Sequence, residues 1–472
     1  MRVLVTDLPW KGKKYAGRAG MRWAHTSDKQ PVISFRPFPF YLACTSAVLE
    51  RAGHDVLVVD ALAENLSEDE YFKRIAGFSP DFIVAEIHTP SYNNDRTYMK
   101  KLKELTGAKM IFAGPQPTAL PEQVLKENKG VADFALVSEY EFLALMAVEG
   151  KAKKGIVKSK KLVDINDIPW PARHMFKMNL YNEVFCRNYP NIQMMASRGC
   201  PLRCSYCNIF TMNNFQRIHR KRDVGNVADE MQFCIDEYKP KELYLDDDNI
   251  DISPQWLSDL LDEKIKRIGD FPFTCMGHVN VKEELLEKMK KAGCVGIKLG
   301  IESSNNYVLK RLGKGMTNEM AVRTIKKCKE LGIKTHLTFC IGLPGDTEQT
   351  VSDTIDFAMK YGDSFQISTA APFPATPLWD EAVKNNWIKF KSWDSFDGMK
   401  DAIINYPNLS NKCLQNIAMN AQAMSYRKAV KSGEWKKYVK MIFQERGITG
   451  VTKMAFIRGP GMIYNLLKSK RR

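Results

Sequence analysis

The sequence contains no run of the roughly 18 to 20 consecutive apolar residues that a membrane-spanning helix requires. Its first segment, MRVLVTDLPWKGKKYAG, has neither the long apolar stretch nor the small-residue cleavage site of a secretory signal. The eleven cysteines are odd in number and scattered, apart from one tight cluster, which argues against a secreted disulfide framework. We therefore expect a cytoplasmic protein with one metal or redox site.

Acidic residues are scarce only at the end of the chain. The formal net charge is +16, and residues 427–472 contain thirteen Lys or Arg and two Glu. The basic character thus belongs to a tail, and we do not expect the whole protein to bind nucleic acid. The tail interleaves apolar and basic residues, which suits a helix packed on the protein, peripheral contact at the inner face of the membrane, or RNA binding.

No G-x-G-x-x-G motif follows the apolar runs near the start of the chain, so a dinucleotide cofactor is not expected. Residues 1–145 nevertheless alternate β-branched runs with helical patterns. The runs are RVLVTDLP, DVLVVDA, DFIVAEIHTP, KMIFAGPQP and FALVSE. This alternation predicts an α/β domain with a doubly wound, Rossmann-like parallel sheet, whose ligands bind beyond the carboxyl ends of the strands.

Residues 146–190 are rich in lysine and are predicted to be a linker. A second α/β series follows in residues 191–385, with the predicted strands IQMMASR, ELYLDDDNI, FTCMGHV, VGIKLGIES, KTHLTFCIGLPG and SFQISTAAPF. Six βα units are too few for a closed eight-stranded barrel, so we expect a partial barrel with its chemistry at the carboxyl ends of the strands. Residues 386–472 show mainly helical patterns.

Three cysteines, Cys200, Cys204 and Cys207, follow the first predicted strand of the second series. Three thiolates on one short loop can hold an iron–sulfur cubane, which needs four ligands, so one iron would stay open for a small molecule. The alternative from the residues alone is structural zinc, with His219 as the fourth ligand. A zinc-stabilised module with a basic tail would bind RNA or a membrane and would not be an enzyme.

The spacing C-x-x-x-C-x-x-C, with Tyr206 before the last cysteine and a βα series behind it, resembles the radical S-adenosylmethionine (SAM) superfamily. The resemblance implies a [4Fe-4S] cluster on the three cysteines, with SAM on the open iron through its amino and carboxylate groups. Reduction by a one-electron donor such as a flavodoxin or ferredoxin would then cleave SAM. The products would be methionine and a 5′-deoxyadenosyl radical that abstracts hydrogen from a substrate.

Residues that end the later predicted strands fit the places where similar enzymes hold SAM. The resemblance implies SAM contacts from Tyr206, Asp246, Asp247, Asp248, Glu302, Ser303, Ile341 and Gly342. From the residues alone, the acidic run at the end of the second strand suits a helix cap as well. The glycine at the end of the fifth strand equally suits a tight turn.

A doubly wound domain in front of such a barrel is similar to the cobalamin-binding subgroup, which includes C-methyltransferases, the anaerobic magnesium-protoporphyrin cyclase and hopanoid-remodelling enzymes. The D-x-H-x-x-G motif that supplies an axial histidine in methylmalonyl-CoA-mutase-type domains is absent, and nothing around His88 matches it. Many members of the subgroup bind cobalamin without that histidine. The residues expected to line cobalamin are Thr89, Pro90, Ser91, Gly114, Pro115, Gln116 and Glu139.

The resemblance therefore implies an enzyme that modifies an unactivated carbon of a small-molecule or lipid substrate, with methylation as the first expectation. Cyclisation or rearrangement of a lipid or tetrapyrrole is the alternative within the same radical chemistry. The sequence assigns no catalytic side chain and does not identify the substrate.

Overall fold

The computed structural model describes residues 1–13, 15–17, 25–27, 36–388, 392–396, 398, 402–431 and 439. Most of the basic tail lies outside the described residues, and so do the expectations that concern it. Within the described ranges, no helix has the length and apolar character needed to cross a membrane.

The first sheet contains six parallel strands in the order β2-β1-β3-β4-β5-β6. The strands are β1 Arg2–Asp7, β2 Asp55–Asp60, β3 Phe82–Glu86, β4 Lys109–Ala113, β5 Ala132–Val137 and β6 Gly155–Lys158. The helices are α1 Phe40–Arg51, α2 Glu68–Phe78, α3 Tyr92–Thr106, α4 Pro115–Ala119, α5 Pro121–Glu127 and α6 Glu141–Val148. Because the order reverses between β1 and β3, the sheet is doubly wound, as predicted.

Strands β1 to β5 are the five apolar runs that the sequence predicted. Val3, Val84 and Ile111 on these strands are fully buried, and β-branched side chains suit such a pleated, covered surface. Separate apolar clusters cover the two faces of the sheet. Local signals set the helix ends: Ser67 and Glu70, for example, form a reciprocal capping box at the start of α2.

Strand β6 was not expected. It lies in the segment predicted as a linker, residues 146–190, and pairs in parallel with β5 at the edge of the sheet. Its sequence, GIVK, sits in a lysine-rich stretch, and lysine is typical of edge strands because it discourages pairing with other chains. The sheet therefore continues past the predicted boundary at residue 145.

The second sheet also has six parallel strands, but in chain order from β7 to β12. The strands are β7 Asn191–Met194, β8 Glu242–Leu245, β9 Phe273–Gly277, β10 Cys294–Glu302, β11 Lys334–Ile341 and β12 Ser364–Thr369. The helices are α7 Ile209–Met212, α8 Val224–Tyr238, α9 Pro254–Ile268, α10 Glu283–Lys291, α11 Asn306–Leu312, α12 Asn318–Glu330, α13 Glu348–Tyr361 and α14 Pro377–Lys384. Among the described residues β7 and β12 stay unpaired with each other, so the six-unit partial barrel is confirmed.

A last helix, α15 Asn411–Lys431, follows α14 after an irregular segment. It lies against the outer strand of the second sheet, where the Ser425 hydroxyl donates to the Phe365 carbonyl at 2.8 Å. The second sheet and its helices share one large apolar core. The carboxyl ends of its strands are therefore left to form a site.

Candidate active site

The three predicted cluster cysteines lie on a loop, the cysteine loop, whose two ends are held together. Ser197–Arg198 pairs in antiparallel fashion with Arg220–Lys221, so the chain leaves and returns at one place beyond β7. Gly199 opens the loop at φ 83°. A Cβ atom there would collide with the Asn213 side chain and the Ile218 carbonyl, so only glycine fits.

Cys200, Cys204 and Cys207 are free thiols; Cys204 is buried and the other two are half-buried. Burial raises the pKa of Cys200 to about 11 and also raises the pKa of Cys204 and Cys207. Such thiols stay protonated by themselves, whereas coordination to a metal removes the proton. Three neighbouring thiols on one closed loop fit an iron–sulfur cluster with one open iron.

In the described part of the chain, no three His, Cys, Asp or Glu side chains already stand in the arrangement of a metal site. The cluster assignment therefore rests on the cysteine spacing, the free thiols and the shape of the loop. His219, the ligand of the zinc alternative, hydrogen-bonds through Nδ1 to the Ser253 hydroxyl at 2.9 Å and lies edge-on to Trp256. Burial and the charge of Lys221 lower the pKa of His219 to about 4. These are the contacts of a structural histidine.

The acidic run after β8 holds the start of the cysteine loop. One carboxylate oxygen of Asp247 accepts hydrogen bonds from the backbone N–H groups of residues 196–197 and from the hydroxyl of Ser197. Asp248 accepts from the backbone N–H of Gly199 at 2.7 Å. Two of the three predicted SAM carboxylates thus brace the chain just before the first cysteine. Asp246 is buried beside them.

The second carboxylate oxygen of Asp247 is buried and makes no hydrogen bond within the described residues. Burial raises the pKa of this carboxyl to about 7. An orphaned buried acceptor is costly and marks a place where a ligand can donate. The ammonium group of SAM is such a donor, so the residues present fit the predicted cofactor.

Glu302, at the end of β10, has a left-handed backbone with φ 67°, which strains a non-glycine residue. Its carboxylate forms a buried ion pair with Lys314 at 2.5 Å. The Lys314 cation also interacts with the thiols of Cys200 and Cys204. A Cβ atom at Gly300 would lie 2.7 Å from Lys314 Nζ, so this glycine leaves room for the lysine. Sequence reasoning missed Lys314, which lies in a short irregular loop with no pattern to single it out.

Gly342 follows β11 at φ 78°. The backbone N–H groups of Gly342 and Leu343 donate to the Asp346 carboxylate at 3.0 and 2.9 Å. The Tyr406 hydroxyl donates to the Gly342 carbonyl at 3.0 Å, and a Cβ atom at Gly342 would lie 2.8 Å from Leu414. The helical C-terminal region therefore closes over this strand end, a contact that the sequence did not predict.

The remaining predicted SAM residues have ordinary surroundings. The Ser303 hydroxyl lies 3.4 Å from the Thr354 hydroxyl, Ile341 belongs to the apolar core, and Tyr206 is half-buried against that core. Burial raises the pKa of the Tyr206 hydroxyl well above its usual value. All three stand near the strand ends where they were expected, and their contact with SAM stays a prediction.

Asp251 and His278 form a buried pair beyond β8 and β9 that sequence reasoning also missed. Both carboxylate oxygens of Asp251 accept from the backbone N–H of His278, at 3.0 and 2.9 Å. Burial raises the pKa of Asp251 to about 7 and lowers that of His278 to about 4. The signal was available, because Asp251 directly follows one predicted strand and His278 lies near the end of the next.

The first domain brings its predicted cobalamin residues to one edge, at the carboxyl ends of β3, β4 and β5. Thr89–Ser91 form a short 3-10 turn after β3. Gly114 precedes α4, which begins at Pro115, with φ 94° and ψ −163°. A Cβ atom at Gly114 would lie 2.7 Å from Cγ of Glu86, so only glycine allows the backbone to approach β3 here.

Gln116 is fully buried, and neither its amide oxygen nor its amide nitrogen makes a hydrogen bond within the described residues. The buried Tyr140 hydroxyl likewise has no partner among them. Buried polar groups are nearly always hydrogen-bonded, so these groups mark a place for a polar ligand. Cobalamin carries a rim of amide side chains that both donate and accept, and the residues present fit it.

The first loop of this domain has the spacing of the missing histidine motif, with another residue in the histidine position. Residues 7–12, DLPWKG, keep the spacing of D-x-H-x-x-G with Pro9 in the histidine position. Trp10 follows it and packs against Leu62. His88 lies at the next strand end and is buried with Nε2 3.7 Å from the Glu86 carboxylate. The edge is therefore suited to cobalamin bound without a histidine from the D-x-H-x-x-G position.

Glu139 has a different environment from the other predicted cobalamin residues. It is buried, and its carboxylate forms ion pairs with Arg198 at 2.9 Å and Arg220 at 2.6 Å, the two arginines at the base of the cysteine loop. A role at cobalamin stays a prediction for Glu139, whereas its contact with the second domain is part of the structure.

Comparison with known proteins finds a matching family for each of the two domains. The radical SAM superfamily matches residues 194–358, and the B12 binding domain matches residues 33–145. An uncharacterised methyltransferase of Pyrococcus horikoshii is 27% identical over 440 residues, which is 89% of this chain and 92% of that protein. The anaerobic magnesium-protoporphyrin IX monomethyl ester cyclase of Rubrivivax gelatinosus is 25% identical over 374 residues, 73% of this chain and 66% of that protein.

Among solved structures, the radical SAM methyltransferase TsrM of Kitasatospora setae, determined with cobalamin and a [4Fe-4S] cluster bound, has a TM-score of 0.60. It is 17% identical, and the match covers 81% of this chain and 75% of that chain. The likeness shows the same arrangement of a B12-type sheet followed by an open parallel sheet. The protein is therefore a cobalamin-dependent radical SAM enzyme, in which a B12-binding domain precedes the radical SAM domain.

Proposed function

We propose that this enzyme transfers a methyl group from SAM to an unactivated carbon of a small-molecule or lipid substrate. The observation that carries the proposal is the direct contact between the cobalamin-type edge and the cysteine loop. The Ser138 hydroxyl, just after β5, lies 2.8 and 2.7 Å from the carbonyl oxygens of Thr211 and Met212 and accepts from the backbone N–H of Asn214. The two predicted cofactor sites thus border one interface, as direct transfer between cofactors and substrate requires.

When bound, the cluster with SAM supplies a radical generator, and cobalamin supplies a methyl carrier. The chain itself positions these groups. Asp247 and Asp248 fix the cysteine loop, Lys314 places a cation beside the thiols, and Gly114 and Gln116 shape the cobalamin edge. A one-electron donor, such as a flavodoxin or a ferredoxin, completes the system. The methyltransferase names of the Pyrococcus relative and of TsrM support methylation.

The test uses enzyme reconstituted anaerobically with iron, sulfide and hydroxocobalamin. It is supplied with a reductant, SAM deuterated in its methyl group, and metabolite and lipid extracts from cells that lack the gene. Mass spectrometry should find a product that carries the labelled methyl group. The Cys204→Ala variant should not form it. A product that appears without the label would reject methylation and favour cyclisation or rearrangement, the type of outcome that the name of the Rubrivivax cyclase indicates for that protein.

A further inference from the structure

A buried set of four charges joins the first domain to the cysteine loop. Glu139 and Glu141 follow β5 of the first domain, and Arg198 and Arg220 close the base of the loop. Arg198 contacts Glu139 at 2.9 Å and Glu141 at 2.7 Å. Arg220 contacts Glu139 at 2.6 Å. Their side chains are between 1% and 12% exposed, so water screens these pairs little.

Further contacts lock the two arginines in place. The Arg198 guanidinium lies 4.5 Å from the centroid of the Tyr41 ring of α1, which adds a cation–π contact with the first domain. Arg220 donates to the Val163 carbonyl at 2.9 Å and to the Asn213 side chain. Asn213 lies next to Gly199, since a Cβ atom at Gly199 would collide with the Asn213 side chain. The arginines are therefore linked through Asn213 to the chain just before the first cysteine.

The segment after the third cysteine is fastened to the same part of the first domain. Ser138, next to Glu139, contacts the backbone of Thr211, Met212 and Asn214. The Thr118 hydroxyl, at the end of α4, lies 3.6 Å from the Met212 sulfur. Both ends of the cysteine loop are thus held by residues beyond β4 and β5, outside the radical SAM domain.

We propose that Glu139 and Glu141 are positioning residues for the iron–sulfur cluster and act through Arg198 and Arg220. The cobalamin domain would then help to fix the position of the cluster relative to SAM. This inference rests on the proposed function, since it requires the cluster. It also gives Glu139 a task other than contact with cobalamin. Removing the Glu139 carboxylate takes away the ion pair of Arg220 and leaves Arg198 paired with Glu141 alone. The backbone that carries the two arginines must then move or let water in.

The experiment compares Glu139→Gln with a matched control. Asp133 is also largely buried, with 10% of its side chain exposed, and it bridges two cations, Lys103 at 3.2 Å and Lys154 at 2.6 Å. It lies near the amino end of β5, at the opposite end of that strand from the cysteine loop. Asp133→Asn and Glu139→Gln therefore each remove one negative charge from a carboxylate that bridges two cations. The Arg198→Lys variant keeps the positive charge and serves as the conservative replacement.

Three quantities are measured on the reconstituted full chain: cobalamin uptake, the electron paramagnetic resonance spectrum of the reduced cluster with and without SAM, and the rate at which a chelator removes iron. In Glu139→Gln we expect normal cobalamin uptake, a smaller spectral response to SAM, and iron loss about ten-fold faster than in the wild type. Arg198→Lys should lie between this variant and the wild type. Asp133→Asn should keep the wild-type spectrum and iron-loss rate even if its thermal midpoint falls.

Other results would overturn the inference. A Glu139→Gln cluster indistinguishable from the wild type, or one no more altered than in Asp133→Asn, rejects the positioning role. Loss of cobalamin uptake with an unchanged cluster assigns Glu139 to cobalamin instead. A wild-type protein that takes up no iron would reject the proposed function itself, whereas the results above reject only the positioning role. If Glu139→Gln does not fold, Ser138→Ala takes its place, because it removes the neighbouring loop contacts without leaving a buried charge. An unchanged response of its cluster spectrum to SAM would then reject the positioning role.

Discussion

The two six-stranded sheets carry different kinds of residue at the carboxyl ends of their strands, the edge where each is expected to bind its cofactor. In the first, the order reverses between β1 and β3, and the edge consists of a close-packed glycine, prolines and the unpaired amide of Gln116. In the second, the strands run in chain order, and carboxylates fill the edge, where Asp247, Asp248 and Asp346 each accept backbone N–H groups. Around Gly114 and Gln116 the first edge thus depends on backbone shape and neutral polar groups, although Glu139 and Glu141 beside it are buried charges. The second edge depends on buried charge.

This difference predicts that the two cofactor sites can be disabled one at a time. A substitution that fills space should act on the first sheet and spare the cluster. A substitution that removes a ligand should act on the second and spare cobalamin. The interdomain charge set of Glu139, Glu141, Arg198 and Arg220 is the exception, because it belongs to both halves.

The largest effect is expected from Cys204→Ala. Removing one of three thiolate ligands leaves too few ligands to retain the cluster, so iron content and SAM cleavage should fall to background. Cobalamin uptake should stay at the wild-type level. Cys340→Ala is the control, since Cys340 is a buried thiol on β11 outside the motif. Retained SAM cleavage in Cys204→Ala would refute the cluster assignment, and lost cobalamin would show that the halves are not separable.

Gly114→Ala tests the opposite half. The added methyl group would lie 2.7 Å from Glu86 in a backbone with φ 94°, and overpacking together with the strained conformation should weaken cobalamin binding by about ten- to hundred-fold. Iron content should not change. Gly107→Ala is the control for a methyl group at a positive φ without a clash, with φ 68° and no atom within 4 Å of the added group. Equal losses in the two variants would assign the effect to strain alone, and unchanged binding in Gly114→Ala would place cobalamin elsewhere.

A smaller effect is expected from Gln116→Met. Methionine has a similar length without the unpaired amide, so the protein without cofactors should melt at a higher temperature. Cobalamin affinity, measured by absorbance titration, should fall by about ten-fold, because a ligand hydrogen bond is lost. Gln123→Met, on the neighbouring α5 where the amide is bonded to Glu127, should change neither. A variant that melts higher and binds cobalamin normally would leave Gln116 outside the site.

The same contrast explains what the sequence could predict. The strands of the two large sheets and most helices follow from local patterns and caps, and the cysteine motif is contiguous. Of those twelve strands, β6 was not predicted, because lysines surround it. The role of a carboxylate at a strand end, by contrast, depends on partners that are distant in the sequence. Glu139 suits a cofactor as well as an arginine, and its partner Arg198 lies 59 residues away. Asp247 and Asp248 brace a segment some fifty residues earlier, and Lys314 has no sequence pattern at all.

The last effect concerns pH and the carboxylates of the second sheet, and it changes stability rather than cofactor binding. Burial raises the pKa of Asp251 to about 7, above the value of about 4 in an unfolded chain. The folded state therefore binds the proton more tightly, and stability falls as the pH rises from about 4 to about 7. Asp251→Asn removes this titration while its carbonyl oxygen can still accept from His278. Between pH 5 and pH 8, the variant should gain about 2.6 kcal/mol relative to the wild type. Thermal midpoints of both proteins at the two pH values measure this gain, and a difference that does not change with pH would mean that Asp251 is ionised in the fold throughout.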